Sequence, residues 1–453
     1  MPAAVFCLAG LLFGFASASG RAAAPASPEK TTDRQGADAW KHPVRWLSWG
    51  ADLRWRHEFY DYAATLGAPA ASHEANYQRY RARFWATWFP AEALSLNTRL
   101  SSESRLYFTP RTAKTIDLDE WVVDNLNLRW ECRADNPMVL VLGRQDIQFG
   151  NRWLIRDGTT RDASRTEYFE AARLTLDWRK NRTVVDLIGF NLQANPRFGV
   201  PVINSHHRDL REEDSRGLIL HLANRSLAAT RLDGYFICRH DRPARANGNQ
   251  GDLFLWGGRM ERDLNRHWRL RLEGAWEAGR KNGRELRAFG VNNLLVYQFN
   301  DARQNELRLA HEHLSGDDPN TPRDEGFDPF WGRRATFSEL LVYTFAAENR
   351  GRSAEWTNLE RLGAGWSFRP APKLEWLLDY HALFARENPL AGTPGYSARG
   401  AFRGHLLAGV LKASFSDHLT GHLWAELFSP GDYYAPPKNR QATFLRAQLQ
   451  WVF

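Results

Sequence analysis

Cysteine and lysine are scarce in this chain, and past its first residues it has no long apolar run. Three Cys occur in 453 residues; Cys7 sits in the first apolar stretch, which leaves Cys132 and Cys238. Two cysteines are too few for a disulfide framework or a cysteine zinc site. Beyond residue 18 there is no stretch of 18 uncharged apolar residues, which excludes a polytopic helical membrane protein. No G-x-S-x-G, no Walker loop and no H-E-x-x-H is present, so no catalytic residue and no cofactor is nominated. Aromatic residues, by contrast, are abundant: 19 Trp, 26 Phe and 13 Tyr, under a mean hydropathy of −0.54. That aromatic content excludes disorder. A polar average with many aromatics and no apolar run is the composition of a transmembrane β-barrel.

The charge is lopsided in kind. There are 60 Lys+Arg against 52 Asp+Glu, net +8, and only eight of the basic residues are Lys, leaving 52 Arg. Arginine presents a planar fork of donors that matches carboxylate and phosphate oxygens. The chain is also rich in Ala, so a compositional bias accounts for part of the count, and placement carries more weight than number. A nucleic-acid partner is not expected, because the charges alternate with apolar residues instead of forming a patch.

Both ends read as export signals. Residues 1–24 hold an apolar stretch from Val5 to Phe15 followed by A-x-A sites at Ala16–Ala18 and Ala22–Ala24, the pattern of a cleaved signal peptide, although no Lys or Arg precedes Arg21. Residues 25–44 read as a linker, and 45–453 as the barrel. At the other end Ala447, Leu449, Trp451 and Phe453 share one strand face, opposite Gln448 and Gln450. An alternating last strand with a terminal aromatic resembles the C-terminal signal of bacterial outer-membrane barrels, so the outer membrane is the expected location.

Between the ends, segments of about ten residues alternate in polarity. In Asp52–Glu58, Asp52, Arg54, Arg56 and Glu58 oppose Leu53, Trp55 and His57; in Tyr77–Phe89, Arg79, Arg81 and Arg83 oppose Tyr80, Ala82, Phe84, Ala86 and Trp88. In His267–Glu277, Arg269, Arg271, Glu273 and Glu277 oppose Trp268, Leu270, Leu272 and Trp276. A soluble sandwich shows the same alternation with its apolar face inward. Aromatics at the ends of apolar faces, and Arg mixed with acids on the others, favour the inverted, lipid-facing arrangement. Short turns fall near Pro90–Ala93, Ala134–Pro137, Lys180–Arg182, Asn224–Ser226, Asp263–Arg266, Asp301–Gln304, Arg369–Pro372 and Ser416–His418, with longer polar connectors between them. Eight such turns separate nine hairpins, which predicts an all-β, 18-stranded antiparallel barrel with short periplasmic turns and long outer loops. One interval is too long: Thr336–Ala347 reads either as a helix in an outer loop or as two further strands. The helix is favoured because no extra turn is found.

Residues 142–175, LGRQDIQFGNRWLIRDGTTRDASRTEYFEAARLT, resemble the alginate export family in Gly143-Arg144-Gln145, Gly150, the Arg-rich connector and the return through Ala172-Arg173-Leu174. Residues 314–332, LSGDDPNTPRDEGFDPFWG, are similar to that family's large outer loop, and the following SELLVYTFAAENR to its return segment, which supports the helix. The resemblance spans roughly 45–453. It implies an outer-membrane barrel that passes an anionic uronate polymer, with Arg144, and less strictly Asp146 and Arg173, on matching positions. Possible periplasmic export partners belong to the same implication.

A polyuronate carries one carboxylate per sugar, so its conduit needs fixed positive charge tempered by acids. The alternation adds Arg54, Arg56, Arg81, Arg99, Arg129, Arg271 and Arg308 as lumen residues beside Arg144 and Arg173, with Asp146 and Glu273 as tempering acids. The competing reading is that these Arg pair with acids across strands and hold a polar lumen together without touching a ligand. For any single Arg that reading carries more weight; for the set, the ligand role does. Asp317, Asp318, Asp324, Glu325 and Asp328 form a weak calcium candidate without regular ligand spacing, better read as a solvated acidic loop. His206-His207 and His311/His313 lack a convincing zinc spacing. The expected function is an anion-selective outer-membrane channel for an acidic polysaccharide or its oligomers. A general porin, an outer-membrane hydrolase and a plugged structural barrel stand as alternatives.

Overall fold

The computed structural model describes residues 39–453 except 64–65, 67–72, 112–115, 118–119, 157–167, 196–199, 201, 208, 333–336, 346–347, 350 and 353–354. The expected leader, 1–24, and the linker up to residue 38 lie outside the described residues.

In chain order the strands are β1 Leu47–Asp61, β2 Glu74–Ala91, β3 Leu94–Thr109, the two-residue β4 Ile116–Asp117, β5 Trp121–Cys132 and β6 Met138–Gln145. They continue as β7 Phe169–Trp178, β8 Thr183–Leu192, β9 Glu213–Asn224, β10 Thr230–Pro243, β11 Gly251–Asp263 and β12 Trp268–Lys281. The remainder are β13 Arg284–Gln298, β14 Glu306–Leu314, β15 Leu359–Ala371, β16 Leu374–Phe384, β17 Phe402–Ser414, β18 Leu419–Pro430 and β19 Ala442–Val452. Each long strand pairs antiparallel with its sequence neighbours, and β1 closes on β19 through Asp52↔Val452 to Asp61↔Thr443. Setting aside the stub β4, which extends a connector beside β3, the closed sheet has the expected 18 strands. Closure leaves no open edge, so the mid-wall backbone pairs inside the sheet, apart from register shifts such as that between Arg99 and Leu100 and the Glu273 N–H, which donates to the Asn293 side chain.

The two faces sort as the alternation requires. Leu407 and its cross-strand partners Tyr380 and Leu427 are 52%, 42% and 38% exposed on the outer surface. Arg56 and Glu58, on the inner row of β1, are buried completely. A ring of exposed aromatics marks the turn end of the wall: Trp88, Trp130, Trp178, Trp268, Phe299, Trp366, Phe415 and Trp451. Such amphipathic rings settle at a membrane–water boundary. Among the described residues no helix is long and apolar enough to cross a membrane. Cys132 and Cys238 form no disulfide among the described residues.

All eight short turns fall between consecutive strands. The opposite end is less uniform than expected: β12 and β13 are joined by Asn282–Gly283 alone, with φ of 52° and 85°. Asn-Gly accepts two successive positive φ values, and a long loop is unnecessary there. The Thr336–Ala347 stretch holds the four-residue helix Leu341–Thr344 and no strand among its described residues. It folds into the lumen instead of standing out as an outer loop. Its apolar residues are the reason: Leu340, Leu341 and Phe345 are at most 1% exposed.

Leu407→Arg would put a charge on the apolar surface at mid-strand and should destabilise the folded barrel by about 2–4 kcal/mol in lipid. Urea unfolding in vesicles, followed by heat-modifiable gel mobility, measures it.

Candidate functional site

The inner rows of adjacent strands carry the charged residues. On the wall made by β19, β1 and β2, six guanidiniums converge: Arg446, Arg54, Arg56, Arg79, Arg81 and Arg83. The strand carboxylates paired with them are three, Asp52, Glu58 and Glu103. Arg54 bonds Glu103 at 2.7 Å, and Arg79 bridges Glu103 at 2.9 Å and Glu58 at 3.0 Å. Asp52 takes Arg81 at 3.1 Å and also pairs with Arg83. Arg446 lies 2.5 Å from Glu58, and Arg56 donates to Gln448 Oε1 at 2.5 Å. Buried charges persist only when paired and hydrogen-bonded, and period-2 alternation across neighbouring strands supplies that pairing here.

The wall across the lumen, β10 to β16, is matched in charge. Arg231 and Arg259 pair with Asp233, and Arg259 also with Glu261 and, at 4.0 Å, Glu273. Arg239 bonds Asp241 at 2.9 Å and Asp328 at 3.0 Å, and Lys281 reaches Asp328 at 3.1 Å. Arg361 bonds Glu312, and Arg308 bonds Glu306 and Asp379. Counted over these strand residues and with Arg271 of β12 included, seven cations there meet seven carboxylates, so a cation-rich wall faces a matched one.

Two connectors fold into the space between. Residues 146–156, after β6, cross to the far wall: Trp153 Nε1 donates to Glu312 Oε1 on β14 at 3.0 Å, and Phe149 stacks on His221 at 4.1 Å. Residues 315–358, after β14, meet them. Trp331 N donates to Leu154 O at 3.0 Å, and Phe327 stacks on Trp153 at 5.6 Å. The two stretches that carry the family resemblance, distant in sequence, therefore form one constriction. Its long connector is pinned by Asp328 to Arg239, by Arg352 to Glu213 at 2.8 Å, and by Glu348 to Arg403 at 2.6 Å. Tyr434, in the connector after β18, donates to Glu348 at 3.0 Å; burial and then the Glu348 charge hold its hydroxyl well above the usual tyrosine range, so it remains a donor.

Of the nominated residues, Arg54, Arg56, Arg81, Arg99, Arg129, Arg173, Arg271 and Arg308 stand on inner rows. Arg99 clamps the tempering acid Asp146 through two bonds of 2.7 and 2.8 Å and also takes Asp124 at 2.6 Å. Arg129 pairs with Glu131 at 2.8 Å, Arg173 with Asp186 at 3.1 Å, and Arg271 donates to Asn292 at 2.8 Å. Glu273 accepts from the Tyr235 hydroxyl at 3.2 Å.

Arg144 departs from expectation. Its register partners are Leu126 and Glu170, in the outward row of Leu140 and Leu142. It bonds Glu170 at 2.9 Å and the Val123 carbonyl at 2.8 Å, and lies 4.6 Å over the Tyr168 ring. It braces the wall near the constriction and is not among the lumen arginines. The physical reason is parity: Gly143 takes the inner position opposite Asn127.

The calcium candidate also dissolves. Asp317 is clamped by Arg284 at 2.6 Å, Asp318 accepts from the Asn320 backbone at 2.9 Å, and Asp328 serves Arg239 and Lys281. No metal-holding group of His, Cys, Asp or Glu exists among the described residues. His311 and His313 face outward and share Glu360, at 2.6 and 2.7 Å.

Arg79, Arg83 and Arg446 were not nominated, although the same alternation that singled out Arg81 marks them. Glu339, which reaches Arg446 at 3.0 Å from the long connector, has no signal in sequence.

A family model described as "Alginate export" matches residues 45–448. No curated protein matches the chain. Among solved structures the chain resembles OccK2 (OpdF) of Pseudomonas aeruginosa, solved in complex with glucuronate, at TM-score 0.56 and 13% identity over 89% of this chain and 98% of that one. It likewise resembles OccAB2 of Acinetobacter baumannii at TM-score 0.55 and 9% identity, over 89% and 98%, and OpdQ of P. aeruginosa at 0.54 and 9%, over 90% and 97%.

Gly332→Ala would place a methyl carbon 1.6 Å from the Trp153 carbonyl oxygen, so the two connectors must part. Single-channel conductance is expected to rise. Arg144→Gln should leave the reversal potential in a KCl gradient unchanged while costing about 1–3 kcal/mol in unfolding assays.

Proposed function

Because the chain belongs to the alginate export family, and is therefore an outer-membrane channel and not an enzyme, we propose that it passes an acidic polysaccharide of the uronate class, or its oligomers, with selectivity for anions. The observation that carries this reading is the wall of β19, β1 and β2, where six guanidiniums have three strand carboxylates between them. A uronate chain must shed much of its hydration in a constriction. Fixed guanidiniums replace that hydration by charge-assisted hydrogen bonds, and the interleaved acids keep any one carboxylate from being held too long. Lying across from a wall of matched charge, the cationic side also orients a carboxylate toward itself. Further support comes from a porin of the same fold that holds glucuronate, a single uronate unit.

That same neighbour favours a second reading, a porin for small acidic solutes. A conduit for polymer should be blocked progressively more strongly as the oligomer lengthens; a small-solute porin should bind the monomer and be indifferent to length.

Single-channel recording in a KCl gradient, with and without oligomannuronate, tests both. An anion-selective reversal potential and length-dependent block are expected. Arg54→Gln, which removes one cation while leaving Glu103 bonded to Arg79, should weaken both effects, with the half-blocking concentration rising roughly threefold to tenfold. Cation selectivity in the native channel would overturn the proposal.

A further inference from the structure

The long connector brings its own carboxylate to the cationic wall. Ser338, Glu339 and Leu340 deliver a hydroxyl and two backbone N–H groups to Glu426 of β18: Ser338 Oγ at 2.5 Å, Glu339 N at 2.8 Å and Leu340 N at 3.2 Å. Thr344 Oγ1, one turn on, donates to the Ala63 carbonyl at 2.6 Å. The helical turn Leu341–Thr344 is thus held at both ends across the inside of β18, β19 and the start of the β1–β2 connector. With its backbone fixed, the Glu339 side chain reaches Arg446, 3.0 Å away, while Arg446 also holds Glu58.

Glu58 and Arg446 are both fully buried beneath the connector, whereas the Glu339 side chain bonded to Arg446 retains 20% exposure. The two carboxylates on Arg446 therefore differ in kind: one is built into the wall, and the other is presented by a connector and open to solvent. We propose that Glu339 is an internal stand-in for a uronate carboxylate, occupying Arg446 in the empty channel and yielding it to the passing ligand. This inference rests on the uronate reading above and adds the residue that sets the strength of that site.

The consequence is a competition. Every uronate that engages Arg446 must first displace Glu339, so the native channel binds its ligand more weakly than the bare wall would. That weakening shortens each residence, which a conduit requires. Among the described residues, the groups facing the exchange include Arg446, Glu58, Arg56 and Arg79 from the wall and the Trp424 and Phe444 rings 5.3 and 5.1 Å from the Arg446 guanidinium, with Glu426 occupied by the connector's own donors. Glu426 does not compete for Arg446, because its oxygens accept the two backbone N–H groups and the Ser338 hydroxyl.

The test is planar-bilayer recording of the refolded full-length channel carrying Glu339→Gln, Glu339→Asp or no change, titrated with oligomannuronate and with a neutral glucose oligomer of equal length. Heat-modifiable mobility confirms folding of each, and Glu339→Ala serves as a second neutral variant. Glu339→Gln and Glu339→Ala should lower the half-blocking concentration of oligomannuronate roughly threefold to tenfold and increase anion selectivity, with Glu339→Asp close to native. Block by the neutral oligomer should not move. An unchanged half-block by oligomannuronate in the neutral variants, with the native channel blocked, would overturn the inference and leave the uronate reading standing. An equal shift for the neutral oligomer would also overturn it, since the effect would then be steric. Failure of oligomannuronate to block the native channel would instead remove the uronate reading itself, and this inference with it.

Discussion

The ladder between β1 and β19 is the contact on which the rest of the molecule depends. A wall immersed in hydrocarbon cannot leave backbone polar groups unpaired, and ten residue pairs from Asp52↔Val452 to Asp61↔Thr443 remove the last open edge. Closure then fixes an inside and an outside, and period-2 geometry assigns every strand residue to one of them. Arginine can populate the inside only because the next strand offers a carboxylate at the same level. Arg79 between Glu58 and Glu103 illustrates this: its guanidinium joins three strands through two acids.

That pairing gives the inner arginines two duties that cannot be separated by inspection of one residue. Each holds the polar wall together, and each adds to the field in the lumen. The distribution is more informative than any single pair. Where cations and acids are matched, as around Asp233 and Asp328, the pairs account for themselves structurally. On β19, β1 and β2 six cations share three strand acids, and that cation-rich wall carries the uronate reading. The connector residue Glu339 lies on that wall, which is why the tempering of the site belongs as much to the loop as to the wall.

Much of the architecture was legible in the chain. Eight turns with Pro, Asn and Asp chemistry gave the strand number, and the faces of β1, β2 and β12 sorted as their alternation required. The lumen position of Arg54, Arg81 and Arg271 followed from the same period. Arg144 did not follow, because a motif match says nothing of parity: Gly143 stands on the inner row, so its neighbour must look outward. The outer connectors also depart from their sequence pattern. Polar, Gly- and Pro-rich stretches read as loops in water, yet Phe149, Trp153, Phe327 and Trp331 pull them into the lumen, where Phe149 stacks on His221, Trp153 on Phe327, and Trp331 meets Phe169 and Phe330 edge-on.

By itself, the sequence determined everything that depends on nearest neighbours along the chain: which residues alternate, where the chain turns, and hence how many strands close the barrel. The tertiary structure alone decided which distant segments meet. Residues 146–156 and 315–332 join in one constriction through Trp331 N and Leu154 O, and Glu339 finds Arg446 more than a hundred positions later. No local period encodes such contacts. They arise because a closed wall presents its inner face to every connector at once, and apolar rings and unpaired charges settle where that face can bury or match them.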